Sequence, residues 1–358
     1  MSDKPYFKLR EFLDQFPIGF PQTESGVEIK ILKRLFTPQE AEIAIVLSPL
    51  PEEAASIAAR AGLPAEHLAA KLEAMAQNGL LFRIRRDAKT LFLAAPFMIG
   101  LYEYSVKKID RELAELFKQY YDEAYQKEMG RSNVPGFKVI PLQHHIESEV
   151  TLLPYHKIEE DIRASRIIAV TDCVCRKEAK LTGHQCEHPM ENCLSFGVAA
   201  EFYIETGMGR QITADEAIEI VKKADESGLV HAGANAKHLS NICNCCPCCC
   251  ASMKGITEKG ADKQKFMNAL FEAVVDEAQC TACEICLDRC PVDAISVQDA
   301  AMVDRNKCLG CGLCASECAM AAITMHLRED RQEPFDRTVD MGMAMLKAKQ
   351  QRAARNRS

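Results

Sequence analysis

Eighteen cysteines stand in a chain of 358 residues, and they are not scattered. Eight fall in two runs of one pattern: Cys280-x2-Cys283-x2-Cys286-x3-Cys290-Pro291, then Cys308-x2-Cys311-x2-Cys314-x3-Cys318. Three cysteines at this spacing wrap one corner of a cubane iron–sulfur cluster in a tight loop. A fourth thiolate must come from elsewhere, because the loop cannot reach all four irons. Zinc is the competing occupant, satisfied by four thiolates from two CxxC pairs. Two complete CxxCxxCxxxC runs fit the cubane better.

The paired runs resemble those of the two-cluster bacterial ferredoxins. That resemblance implies a crossed assignment, in which the fourth cysteine of each run ligates the other run's cluster. Cys280, Cys283, Cys286 and Cys318 would hold one [4Fe–4S] cluster. Cys308, Cys311, Cys314 and Cys290 would hold the second. Two departures are visible: Ala319 follows the second run where Pro291 follows the first, and Ala282 stands where the family commonly has glycine. Neither removes a ligand.

Ten cysteines lie outside these runs. Cys173, Cys175, Cys186 and Cys193 fall within 21 residues, enough thiolates for one cluster or one zinc ion. Arg176 beside them would favour the thiolate form, and His184 and His188 flank Cys186 as substitute ligands. Then come Cys243, Cys245, Cys246, Cys248, Cys249 and Cys250, six cysteines in eight residues. One metal cannot use every sulfur of so dense a run. Neighbours on an extended segment point opposite ways, so alternating subsets could serve two sites. At least one further iron–sulfur cluster is expected here, with zinc as the alternative and reactive thiols for the remainder. Residues 150–250 resemble a cysteine-rich module found beside ferredoxin domains in proteins of strict anaerobes. The resemblance rests on Leu153-Pro154-Tyr155, Cys173-Val-Cys175-Arg176, Pro189–Gly197, Gly207-Met-Gly209-Arg210 and the Cys243–Cys250 run. It supplies no chemistry beyond the residues themselves.

Hydrophobic residues make up 47% and charged residues 27%, an ordinary globular balance with core for two to three domains. No secretory signal and no apolar stretch of the ~18 to 20 residues needed to span a bilayer is evident. A cytoplasmic location is expected. In that reducing compartment so many cysteines mean metal rather than disulfides. The net charge is −7, but residues 276–325 carry eight acids against three bases. Such a surface suits a basic redox partner or the other subunits of an oxidoreductase.

The elements that position these cysteines are read from periodicity and caps. Residues 1–24, with three prolines, read as an irregular arm. From 25 to 100 the pattern is helices, then a hairpin. Ser25-x-x-Glu28 and Thr37-x-x-Glu40 are capping boxes, and helices end at Gly62 and Gly79. Phe82–Arg85 and Thr90–Leu93 form the hairpin. This stretch resembles a winged helix-turn-helix, a family that often binds DNA through its last helix and its wing. The last helix here offers Lys71 against Glu66 and Glu73, a poor face for base edges. The wing carries Arg83, Arg85, Arg86 and Lys89, which could meet phosphates. DNA is therefore the less favoured partner.

Tyr102–Met129 reads as one long helix within a helical linker, 101–150, which also holds the adjacent His144 and His145 as surface or core residues. The cysteine-rich module follows at 151–252. It contains a strand at Arg166–Val170, a capped helix at Ala214–Glu226 and a buried strand at Leu229–Ala232. A helix over Thr257–Glu277 leads into the ferredoxin-like domain, 253–330, whose runs repeat at an offset of 28 residues. A basic helical tail, 331–358, closes the chain. The expected class is α+β and modular. The expected function is one-electron transfer as a soluble ferredoxin-like partner or subunit of an anaerobic oxidoreductase. The rivals are an iron–sulfur sensor regulating transcription through the winged helix, and an oxidoreductase with an unusual active-site cluster in the middle module. No flavin, dinucleotide or hydrolase constellation is present, and Gly207-x-Gly209 lacks the third glycine of a dinucleotide loop.

Overall fold

The computed structural model describes residues 3–142, 146, 158–184 and 186–355. In chain order its elements are α1 (Lys4–Leu13), α2 (Val27–Leu35), α3 (Pro38–Ala44), β1 (Glu52–Glu53), α4 (Ala54–Ala61), α5 (Ala65–Gln77), β2 (Leu81–Arg86) and β3 (Lys89–Ala94). There follow α6 (Tyr102–Tyr104), α7 (Arg111–Tyr120), α8 (Gln126–Met129), β4 (Phe137–Val139), α9 (Ile158–Ala164), β5 (Ile168–Asp172), α10 (Val174–Leu181), β6 (Glu191–Phe196), α11 (Val198–Glu205) and β7 (Arg210–Ile212). The remainder is α12 (Ala214–Glu226), β8 (Val230–Ala234), β9 (Asn241–Cys245), α13 (Ala251–Thr257), β10 (Met267–Ala269), β11 (Phe271–Val275), α14 (Ile285–Arg289), β12 (Ile295–Val297), β13 (Ala301–Val303), α15 (Leu313–Ser316), β14 (Ile323–Leu327) and α16 (Thr338–Arg355). Helix and strand are mixed throughout, as the α+β expectation required.

The chain divides into two units. The first comprises Met1–Glu128, Thr171–Cys186 and Val198–Arg210, and the second Met129–Val170, Glu187–Gly197 and Gln211–Ser358.

In the first unit, Thr37 and Glu40 close the capping box that starts α3, and Gly62 stops α4 in the left-handed region at φ +66°. β2 and β3 pair as the expected antiparallel hairpin, with β1 added along β3. The wing reading needs a correction. Arg83 is buried and ion-paired to both Glu73 and Glu205. Arg85 meets the same two carboxylates at 3.4 and 3.0 Å, and Lys89 pairs with Glu53. Three of the four basic residues on the hairpin are thus already neutralised from within the unit.

Three further expectations fail here. The arm is not irregular: α1 forms over ten residues with Pro5 in its first turn, where its missing N–H costs nothing, and buries Tyr6, Leu9 and Leu13. The box at Ser25 and Glu28 does not form either. Gly26, left-handed at φ +66°, stands at the start of α2, and Glu28 instead accepts from Thr23 Oγ1 at 2.5 Å. The long helix over Tyr102–Met129 is also interrupted. Ser105 Oγ donates back to the Tyr102 carbonyl at 2.7 Å, and Asp110 caps a new helix by accepting the Leu113 N–H at 2.9 Å. The buried side chains of the segment still pack, with Phe97, Phe117, Tyr120 and Tyr125 in edge contact.

In the second unit the main sheet has strand order β10-β4-β8-β9-β6-β5-β7. β4, β8, β9 and β6 pair antiparallel, and β10 joins β4 in parallel. Ile140, Ile162, Ile168, Val170, Leu194, Ile218 and Ile242 form its apolar core. Thr213 caps α12 through the Glu216 N–H, as its sequence implies. The helix expected over Thr257–Glu277 is absent. α13 ends before Gly260, which takes φ +61°, and the chain turns into β10 and β11. Phe271, Val274 and Val275 favour that strand, and β11 finds its antiparallel partner in β14 far along the chain. His144 and His145 lie outside the described residues, as do Leu153, Pro154 and Tyr155.

Candidate metal centres

The two CxxCxxCxxxC runs fold as one structure written twice. Asp276 accepts the Cys280 N–H at 3.0 Å, and Asp304, 28 residues on, accepts the Cys308 N–H at 2.9 Å. Backbone with positive φ recurs at the same offset: Ala282 (+52°) and Gly310 (+69°), Glu284 (+67°) and Gly312 (+83°), Asp293 (+51°) and Ala321 (+49°). α14 and α15 carry the third cysteine of each run, Cys286 and Cys314. Glycine is indispensable only in the second loop. A Cβ at Gly310 would lie 2.0 Å from the Phe271 carbonyl oxygen, because β11 passes directly beneath that turn.

The sulfurs fall into two neighbourhoods. Cys290, Cys308, Cys311 and Cys314 line one small pocket with Ala273, Ile295, Val303 and Met325. Burial holds the Cys311 thiol up at about 12 and raises Cys314 and Cys290 as well. Around Cys286 the nearby thiols are Cys283, Cys280 and Cys318; burial, more than their charge, raises its pKa. Backbone N–H groups already point at sulfur: Ala294 to Cys290 at 3.2 Å, Ala301 to Cys280 at 3.4 Å, and Gly310 to Cys308 at 3.4 Å. Four thiols with amide donors, around an apolar space, are the donor set a [4Fe–4S] cluster takes. The two neighbourhoods differ in exposure. Cys308, Cys311 and Cys314 are buried, whereas Cys283 is exposed.

Two cations, Arg289 within the first run and Lys263 before it, hold the runs in place, and the cysteine pattern marks neither. Arg289 donates to the Asp225 carbonyl at 2.7 Å and the Glu226 carbonyl at 3.0 Å, at the C-terminal end of α12. It also reaches Ser316 Oγ in the second run at 3.3 Å. Lys263, buried, donates to the Arg305 carbonyl at 3.1 Å and to the Cys308 carbonyl.

The other ten cysteines are distributed between the units. Cys173 stands at the N-terminal cap of α10 and Cys175 in its first turn, in the first unit. There the Tyr102 hydroxyl donates to Glu178 at 2.5 Å and also meets the Cys175 thiol. Burial chiefly, then the Cys175 and Glu178 charges, push the Tyr102 pKa well up. Cys186, half-buried, ends the Thr171–Cys186 segment of that unit, whereas Cys193 lies on β6 in the second. Arg176 is almost fully buried. Among the described residues, neither His184 nor His188 joins a close group of metal-ligating atoms.

The six-cysteine run is half strand and half turn. Cys243 and Cys245 belong to β9, Cys246, Cys248 and Cys249 to the turn after it, and Cys250 caps α13. Cys246, Cys248 and Cys249 bring their sulfurs within 4.8 Å of one another, with Cys248 and Cys249 at 3.7 Å. Cys245 hydrogen-bonds instead with Cys243 and Cys250, and these contacts, more than its burial, raise its thiol pKa well above the usual value. Behind β9, fully buried, the Asn244 amide donates to the Asn192 carbonyl at 2.7 Å. Its Oδ1 is left to accept, so His231, at 2.7 Å, carries its proton on Nδ1.

The family model for the 4Fe-4S binding domain (Fer4) matches residues 273–296, from the end of β11 through the first cysteine run to the start of β12. No curated protein matches the chain. The thiol geometry and this match support a ferredoxin-like iron–sulfur protein. Among the described residues no helix is long and apolar enough to cross a membrane.

Proposed function

We propose that the chain is an electron-transfer protein carrying two [4Fe–4S] clusters in its C-terminal region, as a ferredoxin-like partner or subunit of an anaerobic oxidoreductase in the cytoplasm. The observation that carries this is the doubled loop: two cysteine runs with matched left-handed positions at one offset, flanking two separate sets of thiols. Cys280, Cys283, Cys286 and Cys318 would hold one cluster, and Cys308, Cys311, Cys314 and Cys290 the other. Such a cluster supplies reversible one-electron chemistry. The chain's part is to fix the thiolates, direct amide dipoles at sulfur, and set exposure. Exposed Cys283 gives a partner its nearest approach to the first set, while burial shields the second. Eight acids against three bases over residues 276–325 favour a partner with a basic face.

The cysteine-rich module would carry at least one further cluster, with zinc the alternative. The helices and hairpin at 25–100 form a winged-helix-like domain that serves protein contact rather than DNA. Arg83, Arg85 and Lys89 are spent on Glu73, Glu205 and Glu53, and Lys71 lies 3.7 Å from Glu40. The test is anaerobic reconstitution with iron counting and electron paramagnetic resonance. About eight irons per chain and two interacting reduced clusters are expected from the C-terminal runs, and about twelve or more irons if the middle module also carries a cluster. Fewer than about eight irons, with zinc in the balance, would overturn the two-cluster assignment.

A further inference from the structure

The six-cysteine run presents its sulfurs to two places, and β6 completes one of them. β6 pairs with β9 through Leu194 opposite Ile242 and Ser195 opposite Asn241. One step further along the same register, Cys193 stands opposite Cys243. The next step is marked as well, because the Asn244 side chain reaches the Asn192 carbonyl at 2.7 Å. Cys193 and Cys243 are thus bracketed on both sides by observed cross-strand contacts. Residues directly opposite share a face and bring their Cβ atoms to roughly 4.5–5.5 Å. Burial agrees: Asn192, Leu194, Ile242 and Asn244 are buried, while Cys193 and Cys243 are half-exposed on the other face. Cys245 lies two residues on, on that same face, and takes hydrogen bonds with Cys243 and with Cys250. The Asn241 amide adds a donor to Cys243 Sγ at 3.5 Å.

We infer that Cys193, Cys243, Cys245 and Cys250 form one four-thiolate metal centre, distinct from the group Cys246, Cys248 and Cys249. It deepens the proposal of a further cluster in the middle module by naming its ligands, and it rests on that reading only for the identity of the metal. Four thiolates suit a [4Fe–4S] cluster or a single zinc ion, and no oxygen or nitrogen ligand is required. The run's dense spacing follows. Cys243 and Cys245 alternate to one face of a strand, whereas Cys246, Cys248 and Cys249 crowd the turn that follows, so neither set can borrow from the other without breaking β9.

The experiment uses the full chain, purified without oxygen, with iron and zinc counted separately. Cys193→Ser and Cys245→Ser should each lose the same metal, while Cys248→Ser keeps it and all three keep the C-terminal cluster signals. Loss of iron identifies a cluster and loss of zinc a single ion; either outcome supports the ligand set, and only zinc counts against the further cluster. The inference is overturned if Cys193→Ser retains full metal content, or if Cys245→Ser and Cys248→Ser remove the same metal. Should a variant not fold, alkylation of the wild-type chain with mass spectrometry still decides. Cys193, Cys243, Cys245 and Cys250 should become reactive together as one metal is chelated away. Exposure of Cys193 at a different stage from Cys243 would sink the set.

Discussion

Glu284 and Gly312 hold the same left-handed backbone, φ +67° and +83°, each two residues before the third cysteine of its run. One is a glycine and the other carries a full side chain. The left-handed turn is therefore a requirement of the loop rather than of the residue. A non-glycine residue there costs roughly 1–2 kcal/mol. Glu284→Gly should accordingly raise the stability of the metal-loaded protein by up to about 1 kcal/mol, offset by the added freedom of the unfolded chain. Thermal unfolding under anaerobic conditions checks the sign.

Gly310 behaves differently from its counterpart Ala282. A Cβ at 310 would meet the Phe271 carbonyl at 2.0 Å, so backbone must move. Gly310→Ala should cost the centre held by Cys308, Cys311, Cys314 and Cys290, about four irons. Ala282→Gly should keep its full complement. Iron counting on the two variants separates them.

The proposed crossed ligand sets predict which variants behave alike. Cys318→Ser should alter the same paramagnetic signal as Cys286→Ser, and Cys290→Ser the same signal as Cys311→Ser. If Cys318→Ser instead matched Cys311→Ser, each run would hold its own cluster. Electron paramagnetic resonance of the four reduced variants reads this directly.

DNA should bind weakly and without sequence preference, and its residual affinity should fall steeply with salt. Arg83→Ala should change stability rather than binding. It leaves Glu73 and Glu205 without their buried partner, at a cost of ~1–3 kcal/mol. A gel-shift against the gene's own upstream region, with clusters oxidised and reduced, tests the binding. Tight binding that switches with redox state would favour the sensor.

Lys138 is wholly buried in β4, and burial lowers its pKa from 10.5 to about 8 despite nearby Asp161. Between those values the unfolded chain holds more protons than the folded one, so stability should rise with pH from about 8 to about 10.5. The gain is on the order of 3 kcal/mol, at about 1.36 kcal/mol per pKa unit. Lys138→Met should remove that slope and be the more stable below pH 8. Denaturant unfolding of the metal-loaded protein across this range is the measurement.

The ferredoxin-like loops were legible because their chemistry is local. Eight cysteines at fixed spacing, an offset of 28 residues and alternating apolar residues in Ile295–Val297 and Ile323–Leu327 all lie within short reach along the chain. Local caps were legible for the same reason: Thr37 and Thr213 bond to residues three positions away. Two of the misreadings share one cause. Residues 257–277 have helical composition, but β11 becomes a strand because β14, some fifty residues on, supplies its hydrogen bonds. The basic hairpin looked free for phosphate until Glu205, 122 residues from Arg83, closed on it. By itself the sequence narrowed the metal chemistry, since thiolates at set spacing admit few occupants. Only the tertiary structure decided which sulfurs lie near one another: Cys290 of the first run lines one pocket with Cys308, Cys311 and Cys314 of the second. Extending the β6–β9 register by one step places Cys193 opposite Cys243, and β11 makes glycine compulsory at 310 but not at 282. Both depend on pairing between segments that the sequence separates, and no local pattern encodes a distant partner.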